Sequence, residues 1–163
     1  NTMARLITLA ACVALALFAP SVSAAHLRAD NSTLRFAPAT WSDCSTGTAH
    51  ASNLEVTITP SNPQPGQSYT YTSSYVLDED VSAGKAHYKF ELNGIIVSQS
   101  TDDLCTDLKK TPTPCPLAKG PVKSTTTGTV PSDIPSGTLT SITNWSDQNG
   151  EAVLCIKLVF QEN

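Results

Sequence analysis

The chain has 163 residues, and its 14 Asp plus Glu against 10 Lys plus Arg give a formal charge of −4 at pH 7. That acidic balance argues against a nucleic-acid partner, because phosphate recognition needs a basic surface. At 40% hydrophobic residues the composition supports a packed core, and the length limits it to one domain.

Residues 1–25 read as a secretory leader. Arg5 supplies the positive n-region, Leu6 to Phe18 form an apolar stretch, and Val22, Ser23, Ala24 and Ala25 offer small residues for cleavage. The apolar run is too short to span a bilayer and no second one follows, so the mature protein is expected to be soluble, extracellular or in a lysosomal or vacuolar lumen. Cleavage removes Arg5 and Cys12, leaving 9 basic residues against 14 acidic ones, a formal charge of 9 − 14 = −5. Two sequons, Asn31-Ser32-Thr33 and Asn144-Trp145-Ser146, fit the same route. Residues 26–40 are polar and without periodicity, and read as an N-terminal extension or pro-segment.

From Asn53 onward the hydrophobic period is two. Leu54 to Ile58 alternates until Pro60 to Gly66 breaks it. Tyr69 to Leu77 follows, with Tyr69, Tyr71, Tyr75 and Leu77 on one face, and Asp78-Glu79-Asp80 reads as a solvated turn. Lys85 to Leu92 places Tyr88, Phe90 and Leu92 opposite His87, Lys89 and Glu91, and the tight-turn pair Asn93-Gly94 leads into Ile95-Ile96-Val97. A proline-rich loop runs from Cys105 to Cys115, and Val122 to Val130 is a Thr-rich strand ended by Pro131. Thr138 to Ser146 puts Leu139 and Trp145 on one face and Asn144 on the other, free for a glycan. Glu151 to Gln161 sets Leu154, Ile156, Leu158 and Phe160 against Cys155 and Lys157. No helical period stands out beyond the leader. About seven short strands predict an all-β, immunoglobulin-like antiparallel sandwich.

An even number of cysteines in a secreted chain reads as a disulfide framework. Cys44, Cys105, Cys115 and Cys155 allow three connectivities; pairing Cys44 with Cys155 and Cys105 with Cys115 suits a sandwich best, because it ties the first strand to the last and pins one loop. Catalytic chemistry is not legible. His26, His50 and His87 are far apart in sequence and lack neighbours at metal-ligand spacing. No nucleophile elbow, phosphate loop or zinc-protease motif occurs, and Asp78, Glu79, Asp80, Asp102 and Asp103 lack the oxygen-ligand spacing of a calcium loop. Neither an enzyme, a metal nor a cofactor is expected.

Trp41-Ser42-Asp43-Cys44-Ser45, Pro65-Gly66-Gln67-Ser68-Tyr69, Cys115-Pro116-Leu117-Ala118-Lys119-Gly120 and Trp145-Ser146-Asp147-Gln148-Asn149-Gly150 before Cys155 resemble the ML domain. This lipid-recognition family contains the Niemann-Pick type C cholesterol carrier and the phosphatidylglycerol/phosphatidylinositol transfer proteins. The resemblance assigns residues 41–163 to the domain and implies a sandwich whose sheets part around a lipid. It also implies the same nested disulfides. A cavity is then expected among Tyr69, Tyr71, Tyr75, Phe90, Trp145, Ile156 and Leu158, with Ile95, Ile96, Val97, Leu117 and Val122 near its mouth. Lys109, Lys110, Lys119 and Lys123 become a surface for transient contact with anionic membranes. The sterol carriers have a further bridge in the first inter-strand loop, whereas Pro60 to Gly66 holds no cysteine, which points to phospholipid more than sterol. The competing reading is a secreted recognition module with a filled core that binds a protein or glycan. A monomer is expected.

Overall fold

The computed structural model describes residues 35–133 and 135–162. The leader, most of the extension and Asn31 lie outside them. Eight strands run β1 (Thr40–Asp43), β2 (Ala51–Thr59), β3 (Ser68–Leu77), β4 (Lys85–Leu92), β5 (Ile95–Asp103), β6 (Gly120–Thr129), β7 (Thr138–Ser146) and β8 (Ala152–Gln161). One short helix, α1 (Leu104–Leu108), follows β5. The sheets are ordered β1-β8-β7-β4-β5 and β2-β3-β6, and every pairing is antiparallel. The architecture is thus a two-layer sandwich with one strand more than the sequence spacing suggests.

Local chemistry explains the joints. Asn93 and Gly94 both take positive φ, 52° and 79°, as a two-residue hairpin turn with the twist of its flanking strands requires, and Leu92 pairs with Ile95 directly across it. Period two fails at α1. Asp103 caps it, accepting a hydrogen bond from the Thr106 backbone N–H at 2.7 Å, and Leu104 and Leu108, four residues apart, are both buried. Five residues are too few for a helical period to show, so the cap was the readable signal.

The core is built from inward positions of both sheets: Tyr75 and Leu77 of β3, Ala86 of β4, and Leu154, Ile156, Leu158 and Phe160 of β8. Phe36 joins it at 4% exposure, its ring 6.4 Å from that of Phe160, and the Ala37 N–H donates to the Gln161 carbonyl. Packed structure therefore begins before Trp41, inside the stretch read as an extension. The disulfides are Cys44–Cys155, joining the end of β1 to β8, and Cys105–Cys115, joining α1 to the loop beyond it. Trp41 itself is 37% exposed and pairs with Leu158 at the sheet edge.

Candidate functional site

Between the sheets lies a cavity of about 280 Å³. β4, β7 and β8 supply one wall, with Tyr88, Phe90, Ser141, Thr143, Trp145, Leu154, Ile156 and Leu158. β3 and β6 supply the other, with Tyr69, Tyr71, Ser73, Ser124, Thr126, Thr127 and Gly128, and Asp107, Leu108 and Thr111 border it from α1 and the turn after it. A Cβ on Gly128 would lie 2.6 Å from Cζ of Tyr69, so the missing side chain is what lets that ring settle on β6. Tyr69 also leans on Phe160, with ring centroids 5.9 Å apart. Phe90, 39% exposed, sits at the rim.

The cavity has a polar corner. The Tyr88 hydroxyl donates to Oδ2 of Asp107 at 3.1 Å. Burial, together with the adjacent Asp107 carboxylate, pushes the Tyr88 hydroxyl up to about 12. The Trp145 indole N–H lies beside that hydroxyl but is buried without an aligned hydrogen bond, while its ring packs edge-on to Tyr75 at 6.5 Å. Asp107 is the only ionisable acid or base on the lining apart from the three tyrosines. Burial also raises the Tyr71 hydroxyl to about 12.

Six of the twelve residues expected around a cavity line this one: Tyr69, Tyr71, Phe90, Trp145, Ile156 and Leu158. The others lie elsewhere. Tyr75, at 3% exposure, and Leu117, at 4%, are ordinary core, Leu117 bridging to Val81, and Val122 packs against that core without reaching the cavity. Ile95, Ile96 and Val97 are 71%, 52% and 58% exposed on the edge strand β5, turned to solvent. An edge strand here has no sheet stacked over it, so an apolar run does not imply an inward one. Lys109, Lys110, Lys119 and Lys123 are all exposed, and Lys110 Nζ is 3.8 Å from Oδ1 of Asp107. Asn144 is exposed on β7, opposite Cys155 in register. The hydroxyl-bearing lining from β6 and β7 carries no sequence signal, because Thr and Ser on a strand read as a solvated face.

A second cluster brings together residues remote in sequence. His50 Nδ1 hydrogen-bonds Oδ1 of Asp78 at 2.8 Å, and Nε2 lies 3.2 Å from Glu79 and 3.3 Å from Glu151. The Asp78–Glu79 turn is therefore partnered rather than simply solvated. Because His50 precedes β2 and Glu151 precedes β8, the imidazole braces one sheet against the other; His50 N–H also donates to the Ala152 carbonyl. Burial alone would lower the imidazole pKa, but the Asp78 hydrogen bond and the charges of Glu79 and Asp78 raise it above 6.5. Glu79, Asp147 and Glu151 each bring an oxygen within 4.8 Å of the His50 nitrogen and of one another, the one such grouping of possible metal ligands among the described residues. Asp147, however, already accepts from the Asn149 and Glu151 backbone N–H groups and from Asn149 Nδ2. Burial pushes its carboxyl up, yet those bonds hold it below the usual range. Those three bonds use most of its acceptor capacity, and a protonated His50 faces the carboxylates of Asp78, Glu79 and Glu151.

A group whose folded pKa is raised contributes stability that is complete below its unfolded value and lost as pH rises through the folded one. The brace should therefore be strongest in acid. His50→Gln is expected to lower the thermal midpoint more at about pH 5.5 than at about pH 8. An equal loss at both pH values, read by thermal unfolding, would refute the proton-linked role.

Relatives are found among lipid carriers. A putative phosphatidylglycerol/phosphatidylinositol transfer protein of Dictyostelium discoideum is 32% identical over 116 residues, covering 71% of this chain and 81% of that protein. A phosphatidylglycerol/phosphatidylinositol transfer protein of Mycosarcoma maydis is 27% identical over 124 residues, covering 74% of this chain and 64% of that one. The fold is shared with a Niemann-Pick type C2 protein from the Japanese carpenter ant, with a TM-score of 0.51 at 19% identity over 74% of this chain and 96% of that one. It is shared too with chicken MD-1, solved with lipid IVa, with a TM-score of 0.55 at 15% identity over 76% and 88%. The ML domain family model matches residues 38–161, which takes in all eight strands, both disulfides and the cavity, and the chain belongs to that lipid-binding family.

Proposed function

We propose that this chain is a non-enzymatic carrier that takes a lipid chain into the inter-sheet cavity and moves phospholipid, such as phosphatidylglycerol or phosphatidylinositol, between membranes. The observation that carries this reading is the cavity itself, where aromatic and aliphatic side chains share the walls with Ser and Thr hydroxyls in a sandwich that would otherwise be filled. A recognition module with a solid core has no use for it. The transfer-protein relatives favour phospholipid over sterol, in line with the absence of a cysteine from Pro60 to Gly66.

The energetics need no chemistry. Each buried methylene is worth about 0.8 kcal/mol against water, so a tail leaving a bilayer for an apolar slot changes little in free energy and avoids aqueous transit. Docking would use Lys109 and Lys110, which directly follow the cavity-bordering Asp107 and Leu108, with Lys119 and Lys123 on the approach to and along β6. Each cation near an anionic surface contributes about 1 kcal/mol, screened by salt.

The test is transfer of a fluorescent phospholipid between vesicles. Wild-type protein is expected to accelerate it on anionic vesicles, and replacing the four lysines by Gln should slow that transfer at low salt while sparing neutral vesicles. No acceleration on either surface would overturn the carrier reading. Equal rates for wild type and variant on anionic vesicles would overturn the docking role alone.

A further inference from the structure

The cavity is not uniformly greasy, and the way its polar atoms are grouped limits what can end there. At about 280 Å³ it has room for part of a lipid chain. Among the described residues, and apart from the tyrosines, its one ionisable lining residue is Asp107, and no lysine, arginine or histidine lines it. An anionic headgroup drawn inside would therefore meet a carboxylate whose one nearby cation, Lys110, lies out in solvent and off the lining.

Three side chains from three elements converge at that carboxylate. Asp107 of α1 accepts from the Tyr88 hydroxyl of β4 at 3.1 Å, which leaves acceptor capacity on the carboxylate. Trp145 of β7 brings a buried indole N–H that lies beside the Tyr88 hydroxyl but makes no aligned hydrogen bond. An unmet buried donor costs free energy, and the natural remedy in a binding cavity is a ligand acceptor. An unfilled donor beside an unsaturated carboxylate matches a group that both accepts and donates while carrying no charge.

Resting on the lipid-carrier reading, we propose that Asp107, Tyr88 and Trp145 form a subsite for an uncharged hydroxyl of the bound lipid. The ligand oxygen accepts from Trp145 Nε1 and its O–H donates to Asp107. A phosphate on the same lipid stays on the solvent side, where Lys110, 3.8 Å from the far oxygen of Asp107, offers a cation. Polyol headgroups and monoacylglycerols meet this requirement; alkyl phosphates and fatty acid anions do not. The corner thus selects by hydrogen bonding and charge where the remainder of the cavity selects only by shape.

The experiment is displacement of a fluorescent fatty-chain probe from the intact mature protein by four ligands sharing a twelve-carbon chain: monolauroylglycerol, dodecyl phosphate, laurate and dodecane. Wild-type protein is expected to bind monolauroylglycerol about tenfold better than dodecyl phosphate or laurate. Asp107→Asn, nearly isosteric, should narrow that preference to within about threefold by admitting the anions. Trp145→Phe, which keeps the ring against Tyr75, should weaken monolauroylglycerol several-fold and leave dodecane unchanged. Dodecyl phosphate binding as well as monolauroylglycerol to wild type, or an unchanged ratio in Asp107→Asn, overturns the subsite while the carrier reading stands. Failure of all four ligands and the probe to bind overturns both.

Discussion

Replacing Cys44 and Cys155 together by Ala is expected to cost about 4 to 5 kcal/mol of unfolding free energy, against about 3 kcal/mol or less for Cys105 and Cys115. Loop length sets the order: the first bridge closes 111 residues of sequence and the second 10, and the longer closure removes more entropy from the unfolded chain. Position reinforces it. β1 is a four-residue edge strand paired only with β8, and Cys155 is 5% exposed, so cutting that bridge loosens the strand and the β8 edge that it covers. The short bridge acts elsewhere, because Asp107 and Leu108 lie inside its loop and both border the cavity. Its loss should weaken ligand binding more than stability. Urea unfolding and probe binding on the two double variants check both halves. A larger stability loss from the short bridge would mean that α1, not β1, is the weak joint of the fold.

β3 and β8 were legible because an inward face of each is buried, and a buried face forces a period of two. β8 shows this most clearly, with Leu154, Ile156, Leu158 and Phe160 inward and Lys157 outward. Cys155 points away from that set and so is free to bridge to β1. The same logic failed where burial and hydropathy part company. Ile95, Ile96 and Val97 are apolar but lie on a strand with every residue exposed, and Ser73 and Ser124 are polar yet 5% and 7% exposed, paired across β3 and β6. Pattern reading cannot recover contacts between segments that meet only in space. His50 lies 28 residues before Asp78, and Glu151 follows only after β2 to β7, so neither spacing carries a periodic signal. The Trp145 indole is the sharpest case: its burial was predictable from parity, its unmet N–H was not, since that depends on where Tyr88 and Asp107 stand.

Filling the cavity should abolish uptake without unfolding the protein, and Thr143→Trp is the substitution that does so. Thr143 is a half-buried lining residue near the middle of β7, paired with Tyr88 on one side and Ile156 on the other, both of them lining residues. An indole there projects into space that side chains leave empty. In a filled core, overpacking costs about 1 to 3 kcal/mol; here the pre-existing void absorbs much of the added volume, and the new contacts return dispersion energy. The expected result is a thermal midpoint within about 5 °C of wild type, which for a domain of this size corresponds to a change of about 1 to 2 kcal/mol. Probe affinity should fall by at least about tenfold, equivalent to 1.4 kcal/mol or more. Val97→Trp separates steric blocking from general disturbance: Val97, 58% exposed on β5, can accept an indole without touching the cavity, so that variant should bind as wild type does. Should Val97→Trp abolish uptake while Thr143→Trp spares it, the ligand enters along β5 and the inter-sheet cavity is not the binding site.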